Sequence, residues 1–258
     1  MLCRGLVSVV IPTYNSERTV ERTLKSILNQ SYGDIEVIVI DNCSSDNTRG
    51  KALKYTENII CVKCSRSRAR NIGVNIANGD YIVFIDSDEE LTRNVIAECV
   101  NEFIKGADAV IIPEISFSSS ILLKALNIGR KLYEAQIPRA YRKSILDMLG
   151  GFDEELTFGE DWDLYIRALK RGLKTSSINS YIIHHEAESF KQYVRKYYDY
   201  GRSFKILHRK HRGYAIKRYG LTPKLLVSIV KVRDPAIPLY ITIRLILTIS
   251  TILGVATG

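Results

Sequence analysis

The stretch Asp80-Tyr81-Ile82-Val83-Phe84-Ile85-Asp86-Ser87-Asp88 decides the fold. Its β-branched and aromatic residues predict a strand that is covered on both faces of a sheet. Side chains alternate along a strand, so Asp86 and Asp88 point the same way at its end while Ser87 points elsewhere. Open α/β sheets bind ligands beyond the carboxyl ends of their strands. Two carboxylates at that edge predict a Mg²⁺ or Mn²⁺ site, whereas an isolated Asp-x-Asp is more often a solvated acidic turn.

The residues before this stretch alternate between apolar runs and helical periodicity. Strands are predicted at residues 6–11, 35–40 and 58–63, and helices at 16–28, 46–54 and 67–77. Asn15 or Ser16 can cap the first helix, and Gly79 can end the third. Four strands that alternate with helices imply right-handed crossovers and a mostly parallel sheet. The predicted fold class is therefore α/β.

The second part of the chain continues with weaker signals. A helix is predicted at residues 92–104, and strands at 108–114, 139–142 and 174–183. The last strand leads into His184-His185-Glu186, where a structural histidine is the alternative to a ligand. Glu160 and Asp161 open another predicted helix, and acids in a first turn also interact well with the helix dipole. Capping is therefore the alternative to a catalytic role for this pair.

Composition and cysteine content narrow the class of protein. The chain has 258 residues, of which 46% are hydrophobic and 25% are charged, as in a globular α/β domain with additions. Its five cysteines are odd in number and lack the spacing of a disulfide framework. Cys61-x-x-Cys64 has no second pair beside it, so a zinc site is not predicted. Reduced thiols in a cytosolic setting are expected.

The positive charge of the chain is concentrated near its end. The net charge is +9, yet residues 191–233 hold thirteen Lys or Arg against one acid, Asp199. Such a block indicates a phosphate-rich partner, either nucleic acid or an anionic membrane, with a solvated pair of basic helices as the alternative. Residues 236–258 then contain no acid and one base, Arg244. This segment is long enough to cross a bilayer as a helix. Arg244 near its middle and Pro238 near its start count against crossing, and the competing interpretation is a helix lying at the membrane surface.

Five segments together resemble a family 2 glycosyltransferase with the GT-A fold. They are Val7-Ser8-Val9-Val10-Ile11-Pro12-Thr13-Tyr14-Asn15, Asp41-Asn42-Cys43-Ser44-Ser45-Asp46-Asn47-Thr48, Ala69-Arg70-Asn71-x-Gly73, Asp86-Ser87-Asp88 and Gly159-Glu160-Asp161-Trp162-Asp163-Leu164. Each is weak alone, but all five occur in the family's order over residues 6–190. The resemblance implies transfer of a sugar from a UDP- or GDP-sugar with inversion at the anomeric carbon.

The resemblance also implies roles for individual residues. It places the nucleotide sugar on Pro12, Tyr14, Asn15, Glu17, Asp41, Arg70, Asp86 and Ser87. It assigns a divalent metal, Mg²⁺ or Mn²⁺, to Asp88 and Asp86 with His184 or His185, of which the family pattern His-x-Glu favours His184. It makes Asp161 the catalytic base, with Glu160 beside it, because inversion needs a base on the face opposite the leaving group.

The expected organisation is a GT-A catalytic domain at residues 1–205, followed by a basic, apolar extension at 206–258 that associates with the membrane. The catalytic domain divides into a nucleotide-sugar half (1–115) and an acceptor half (116–205). The basic extension favours a lipid acceptor, such as a polyprenyl phosphate or a lipid-linked glycan, and a place at the cytoplasmic face of the cell membrane. The alternative acceptor is a soluble or cell-surface polysaccharide. A nucleic-acid-binding protein is the distant alternative, and no nucleic-acid partner is expected because it would leave the acidic strand end unexplained.

Overall fold

The computed structural model describes residues 5–116, 137–156, 158–185, 190–211 and 237–257. The strands are β1 Val7–Thr13, β2 Ile35–Asp41, β3 Ile59–Cys61, β4 Tyr81–Phe84, β5 Glu89–Leu91, β6 Ala109–Ile111, β7 Glu114–Ser116, β8 Pro138–Arg142, β9 Thr175–Ser177 and β10 Ile182–His184. The helices are α1 Val20–Leu28, α2 Thr48–Ala52, α3 Arg66–Ile76, α4 Val95–Ile104, α5 Lys143–Leu149, α6 Glu160–Lys170, α7 Phe190–Lys210 and α8 Ile237–Thr257.

A seven-stranded sheet in the order β3-β2-β1-β4-β8-β6-β9 forms the centre of the fold. The pairs β3–β2, β2–β1, β1–β4 and β6–β9 are parallel, and β8 runs antiparallel to both of its neighbours. The decisive strand, β4, therefore lies in the middle, and its four residues are all buried. The prediction of an α/β fold with a mostly parallel sheet flanked by helices is confirmed.

A second, three-stranded sheet was not predicted. It has the order β5-β10-β7, and β5 begins directly after Asp88. In it, β10 pairs antiparallel with β5, so that His184 is opposite Glu89. This sheet brings the segment after β4 next to a segment almost one hundred residues later. It is the element that assembles half of the candidate site.

Buried aliphatic side chains pack on both faces of the large sheet. On one face, α1 and α4 cover β1 and β4. Helical spacing predicts which side chains of α4 pack inward, and all of them are buried: Val95, Ile96, Cys99, Val100 and Phe103. On the other face, α3 packs against β1 so closely that a Cβ atom at Gly73 would lie 2.3 Å from Cγ1 of Val10. Two layers of helix on a buried sheet are the expected way to remove this much apolar surface from water.

Several local predictions are wrong. Helical spacing predicts that Leu28 shares one face of α1 with Leu24 and Ile27. Leu28 is instead 52% exposed while Ile27 is fully buried, because a step of one residue turns the side chain about 100° around the helix, away from the sheet. Gly79 does not end α3, which closes at Ala77. Instead, its N–H donates to Ser8 Oγ (2.9 Å), and a side chain there would meet the backbone of β1. The predicted strands 108–114 and 174–183 are each broken into two three-residue strands.

The described residues form two compact units. The first contains residues 5–115, 137–154 and 164–185, and thus both sheets except Ser116 at the end of β7. The second contains residues 116, 155–156, 158–163 and 211, together with α7 and α8. In the second unit, Ser250 Oγ donates to the carbonyl of Val194 (2.7 Å), joining α8 to α7. Among the described residues, no helix is both long enough and apolar enough to cross a membrane.

Candidate active site

Asp41 ends β2 at the carboxyl edge of the large sheet and is fully buried. Its Oδ1 accepts hydrogen bonds from Thr13 Oγ1 (2.9 Å) and Ser44 Oγ (2.5 Å), and its Oδ2 accepts one from Ser44 N (2.8 Å). These donors hold the carboxylate in one orientation next to β1. The structure thus places this predicted nucleoside contact at the expected edge, already fixed by its neighbours.

The loops after β1 and β2 are tied to each other. Asn15 has the left-handed φ of 48°, and its Oδ1 accepts from Ser45 N (2.9 Å). Glu17 Oε2 accepts from Asn47 N (3.0 Å). Asn15 and Glu17, both predicted to bind the nucleotide, therefore also organise the edge of the site. Pro12 lies in β1 opposite Ile40, and the ring of Tyr14 is 60% exposed and free to pack against a ligand.

Arg70 and Asp86 form an ion pair beside the end of β4. Arg70 Nη2 lies 3.0 Å from Asp86 Oδ1, and the guanidinium carbon lies 5.3 Å from the centre of the Phe152 ring. Burial by itself would raise the pKa of Asp86, but the adjacent positive charge of Arg70 holds it well below its usual range. Asp86 is therefore ionised, and Arg70 is fixed by charge on one side and by an aromatic ring on the other.

Ser87 serves a different purpose from the two acids that flank it. Its hydroxyl shares a hydrogen bond with that of Ser16 (2.7 Å), and its carbonyl accepts from Thr23 Oγ1 (3.0 Å). Both partners precede or lie in α1. The tip of β4 is thus anchored to the first helix through Ser87, which leaves Asp86 and Asp88 to face the site.

A buried cluster of charges lies behind the two aspartates. Glu89 Oε2 accepts from the backbone N–H of Asp86 (2.8 Å), which fixes the turn that carries both. Arg139 Nη2 lies 2.8 Å from Glu89 Oε1 and 2.8 Å from Glu114 Oε2. Burial raises the pKa of Glu89 to about 7, although the charge of Arg139 opposes that rise. The cluster joins β5, β7 and β8, which are far apart in sequence.

The two adjacent histidines point to different partners. His184 Nε2 is 3.0 Å from Asp88 Oδ2, and His184 Nδ1 is 3.0 Å from Glu114 Oε1. Burial would lower the pKa of His184, but hydrogen bonds to these two acids raise it to about 10. His185 Nε2 instead contacts Glu90 Oε2 (2.7 Å). The side chain of His184, and not that of His185, therefore meets the carboxylate of Asp88, whereas the backbone N–H of His185 donates to the Asp88 carbonyl (3.1 Å).

Two sets of side chains could hold a divalent cation, and they share His184. In the first set, one ligand atom each from Glu89, Glu114 and His184 lies within 4.8 Å of the others. Arg139 already bridges the two glutamates, so a positive charge is already present within that set. The second set is Asp88 with His184, and Asp88 is 40% exposed and can be reached from outside. The second set fits a divalent cation better, because Asp88 supplies an accessible carboxylate oxygen beside the imidazole of His184.

The predicted catalytic pair lies in the second unit. Glu160 is buried, while Asp161 is partly exposed and its Oδ1 accepts from the N–H of Trp162 (2.7 Å). Two residues on, Asp163 Oδ1 contacts His211 Nε2 (2.7 Å), and both side chains are buried. This contact ties the start of α6 to the residue that follows α7. Asp161 is thus the more accessible acid of the pair.

Sequence reasoning did not find Glu89, Glu114, Arg139 or the Asp163–His211 contact. Glu89 follows Asp88 directly, and a third acid beside two predicted metal ligands needs a positively charged partner. Its position could therefore have indicated a nearby Arg or Lys. Arg139 carried no signal of its own, because only the unpredicted three-stranded sheet and β8 bring it to these acids. The part that these residues play in the site therefore follows from tertiary contacts and not from local sequence.

A family model described as "Glycosyl transferase family 2" matches residues 8–152. The match includes both loops, Arg70 and the two aspartates after β4. The chain belongs to glycosyl transferase family 2. The predicted enzyme class, a glycosyltransferase, is confirmed at this level.

Two Escherichia coli glucosyltransferases are similar to this chain in sequence. One is WfaP, named as a UDP-Glc:alpha-D-GlcNAc-diphosphoundecaprenol beta-1,3-glucosyltransferase, which is 30% identical over 74% of this chain and 84% of WfaP. The other is WfgD, which carries the same descriptive name and is 34% identical over 39% of this chain. The match spans 42% of the length of WfgD.

Solved structures show that this family 2 chain has the GT-A fold. Mannosyltransferase PcManGT from Pyrobaculum calidifontis, in complex with GDP-Man and Mn²⁺, superposes with a TM-score of 0.71 and 18% identity, over 99% of this chain and 88% of that one. Residues 1–349 of Staphylococcus aureus TarS, in complex with UDP-GlcNAc, give a TM-score of 0.60 and 19% identity, over 98% of this chain and 91% of that one. The fold prediction is confirmed.

Proposed function

We propose that this protein transfers a sugar from a UDP- or GDP-sugar to a lipid-linked glycan, using a divalent cation and inverting the anomeric carbon. One observation carries the proposal. The end of β4 brings together a buried arginine, two aspartates and a histidine, with Asp88 in contact with His184 (3.0 Å) and Arg70 in contact with Asp86 (3.0 Å). An arginine fork and carboxylate ligands for a cation are both suited to a charged diphosphate, and here they lie at one edge.

The donor is held by residues of the first unit. Tyr14 supplies an exposed ring for the base or ribose. Asp41, the predicted acceptor for a base N–H, is fully buried, and its hydrogen bonds to Thr13 and Ser44 fix the loop at this edge. Arg70 supplies guanidinium donors for the diphosphate, in a geometry that its contact with Asp86 has already set. Because the Arg70 guanidinium is held before the diphosphate arrives, binding costs little ordering of this side chain.

Asp88 and His184 would hold the cation, with Asp86 facing the same edge. When bound, a divalent cation supplies positive charge opposite the leaving diphosphate. Glu114 accepts from one nitrogen of His184 and thereby orients the other nitrogen toward Asp88. The Mn²⁺ in the PcManGT complex supports this cofactor class.

Asp161 would act as the base that removes a proton from the acceptor hydroxyl. A general base contributes about 10²- to 10⁴-fold to such a rate. It is the more exposed of the two acids, whereas Glu160 is buried and supports the start of α6. The expected result of Asp161→Asn is a loss of kcat of about a hundredfold or more, with donor binding unchanged.

The acceptor class is inferred from the relatives and from the charge of the chain. WfaP and WfgD carry a diphosphoundecaprenol acceptor in their names. The basic block of residues 191–233 is suited to an anionic membrane, where such an acceptor resides. We place the enzyme at the cytoplasmic face of the cell membrane on the same grounds.

The test combines binding with transfer. We expect UDP or GDP with Mn²⁺ to raise the melting temperature of the wild-type protein, because a ligand that binds only the folded form stabilises it. Asp88→Asn should abolish this metal-dependent rise, and Glu90→Gln, which alters the partner of His185, should not. Labelled donor should then transfer sugar to a diphosphopolyprenyl glycan. Two results would overturn the proposal: full transfer by the double variant Asp86→Asn, Asp88→Asn, or transfer only to soluble sugars.

A further inference from the structure

Helix α8 (Ile237–Thr257) is buried on one side only. Tyr240, Ile243 and Ser250 are buried, and Ser250 Oγ donates to the carbonyl of Val194 in α7. On a helix with 3.6 residues per turn, these three positions fall on one face. That face is the one by which α8 lies against α7 within the second unit.

The opposite face of α8 is exposed and mainly apolar, with Thr242 among its exposed residues. Six large aliphatic side chains lie on it, with exposed fractions between 39% and 60%: Ile241, Leu245, Ile246, Ile249, Ile252 and Leu253. They cover an arc of about 140° along a helix about 30 Å long. Monomeric soluble proteins rarely expose a continuous apolar patch of this kind, and such a patch marks an interaction site. We call it the outer face of α8.

The charge around this face selects its partner. Residues 236–258 contain no acid, and residues 191–233 carry a surplus of twelve positive charges. On α7, which packs beside α8, Arg195, Arg209 and Lys210 are exposed. An apolar helix face next to a basic helix matches the two requirements of an anionic membrane surface, which are a hydrocarbon boundary and negative headgroups.

Other occupants fit less well. A second copy of this chain would bring its own basic block beside the first, and like charges oppose that association. Single-stranded nucleic acid needs aromatic side chains on which bases can stack, whereas the large side chains of the outer face are Ile and Leu.

We propose that the outer face of α8 inserts into the headgroup boundary of an anionic bilayer, with the helix axis in the plane of the membrane and the basic residues of α7 against the lipid headgroups. This inference goes beyond the proposed sugar transfer. It assigns a membrane-docking surface that neither the donor site nor the catalytic pair requires.

The experiment measures binding of the full chain to vesicles by co-sedimentation, without donor or acceptor. The test variant is Ile249→Glu with Ile252→Glu, and the matched control is Leu28→Glu with Leu53→Glu. The control positions are 52% and 57% exposed and lie in the first unit, so both variants introduce the same two charges at exposed aliphatic sites. We expect the test variant to bind phosphatidylglycerol-containing vesicles at least about tenfold more weakly than wild type, and the control to bind within about twofold.

Two further measurements test whether the test variant is folded and whether α8 lies in the plane of the membrane. The test variant should keep the wild-type circular dichroism spectrum and the nucleotide-dependent rise in melting temperature. Ile249→Trp should add a fluorescence signal that lipids brominated near the headgroup quench more strongly than lipids brominated at the chain end.

Three results would overturn the proposal. They are wild-type protein that does not sediment with vesicles, a test variant that binds like wild type, and an outer face whose substitution only dissolves a dimer. Because nucleotide binding is measured separately, failure of docking and failure of the proposed sugar transfer are distinguishable.

Discussion

At the scale of single residues, the candidate site depends on charges held in fixed directions. Arg70 is nearly buried, and its guanidinium group lies between Asp86 and the Phe152 ring. A planar fork of donors can keep the contact with Asp86 and still present further N–H groups to a diphosphate. The identity of this residue therefore matters beyond its charge.

The first prediction concerns Arg70→Lys. Lysine keeps the charge but loses the planar fork, so we expect the dissociation constant of the nucleoside diphosphate to rise roughly tenfold, with kcat less affected. Calorimetric titration in the presence of Mn²⁺ measures it. Arg68→Lys, an exposed position on the same helix, is the control and should leave affinity unchanged. Equal affinity of Arg70→Lys and wild type would remove Arg70 from the donor site.

The second prediction concerns the charge cluster behind the two aspartates. Arg139→Met leaves Glu89 and Glu114 without their bridging cation, and we expect a loss of about 3 kcal/mol in the free energy of unfolding, since breaking a buried pair strands a charge. Urea denaturation measures it. Arg171→Met, at an exposed position, should cost little.

A double variant distinguishes a stranded charge from lost packing. Adding Glu89→Gln to Arg139→Met removes a buried carboxylate that no longer has its partner. We expect the double variant to recover part of the lost stability. If the loss of stability in the double variant equals the sum of the losses in Arg139→Met and Glu89→Gln alone, packing of the arginine stem is the cause instead.

At the scale of elements, strands and helices are held together by a few polar contacts and close approaches. Glu36 in β2 accepts from Ser8 Oγ in β1 (2.6 Å) and from the side-chain and backbone N–H groups of Asn78 (2.7 and 3.0 Å). Burial would raise the pKa of Glu36, but these hydrogen bonds from Ser8 and Asn78 lower it. The carboxylate thus joins two strands to the turn before β4.

The third prediction follows from this lowered pKa. Because the folded pKa lies below the unfolded value of about 4.3, the stabilisation by Glu36 is present above that pH and is lost as the pH falls through the folded pKa. We expect Glu36→Gln to cost about 1–2 kcal/mol at pH 7 and less at pH 3.5. Denaturation at both pH values measures the difference, with exposed Glu57→Gln as the control. If Glu36→Gln costs the same stability at both pH values, the lowered pKa of Glu36 is contradicted.

The fourth prediction concerns the contact of α3 with β1. On an exposed helix face, a Gly→Ala substitution stabilises the protein by about 1 kcal/mol. At Gly73, however, the added Cβ would lie 2.3 Å from Val10 Cγ1. Overpacking a buried contact costs about 1–3 kcal/mol, so the net effect of Gly73→Ala should be destabilising. Gly33→Ala, with no atom within 4 Å, is the control. A cost that vanishes in the Val10→Ala background would identify this contact as the cause.

At the scale of the whole molecule, charge is distributed unevenly along the chain. The surplus of twelve positive charges in residues 191–233 exceeds the net charge of +9, so the remainder is slightly acidic. The residues of this block that the structure describes lie in α7 and just after it, in the second unit. The first unit holds the proposed donor site and its acidic groups.

The fifth prediction concerns salt. If the basic block contacts anionic lipid headgroups, raising the salt concentration from about 0.05 M to about 0.5 M should weaken binding to anionic vesicles several-fold, because the screening length becomes shorter. Residual binding through the apolar outer face of α8 should be insensitive to salt. Vesicle co-sedimentation measures both. Binding that does not change with salt would limit the interaction to the outer face.

Much of the first unit could be read from local pattern. The strand before Asp86 was predictable because β-branched and aromatic residues in a short run need burial on two faces, and α4 was predictable because its apolar positions repeat with helical spacing. The choice between His184 and His185 was not. It depends on how β10 pairs with β5, and a shift by one residue would exchange the two side chains.

The sequence by itself determined the α/β class, the strand that ends in Asp86 and Asp88, and the two loops that carry Asn15 and Asp41. These follow from local periodicity and from the rule that ligands bind at the carboxyl ends of parallel strands. Only the tertiary structure decided that Arg139 bridges Glu89 and Glu114, that His184 meets Asp88, and that one face of α8 is covered by α7 while the other remains exposed. The physical reason is that buried charges and helix faces are satisfied by whatever lies nearest in space, and a sequence pattern specifies the need for a partner without naming it.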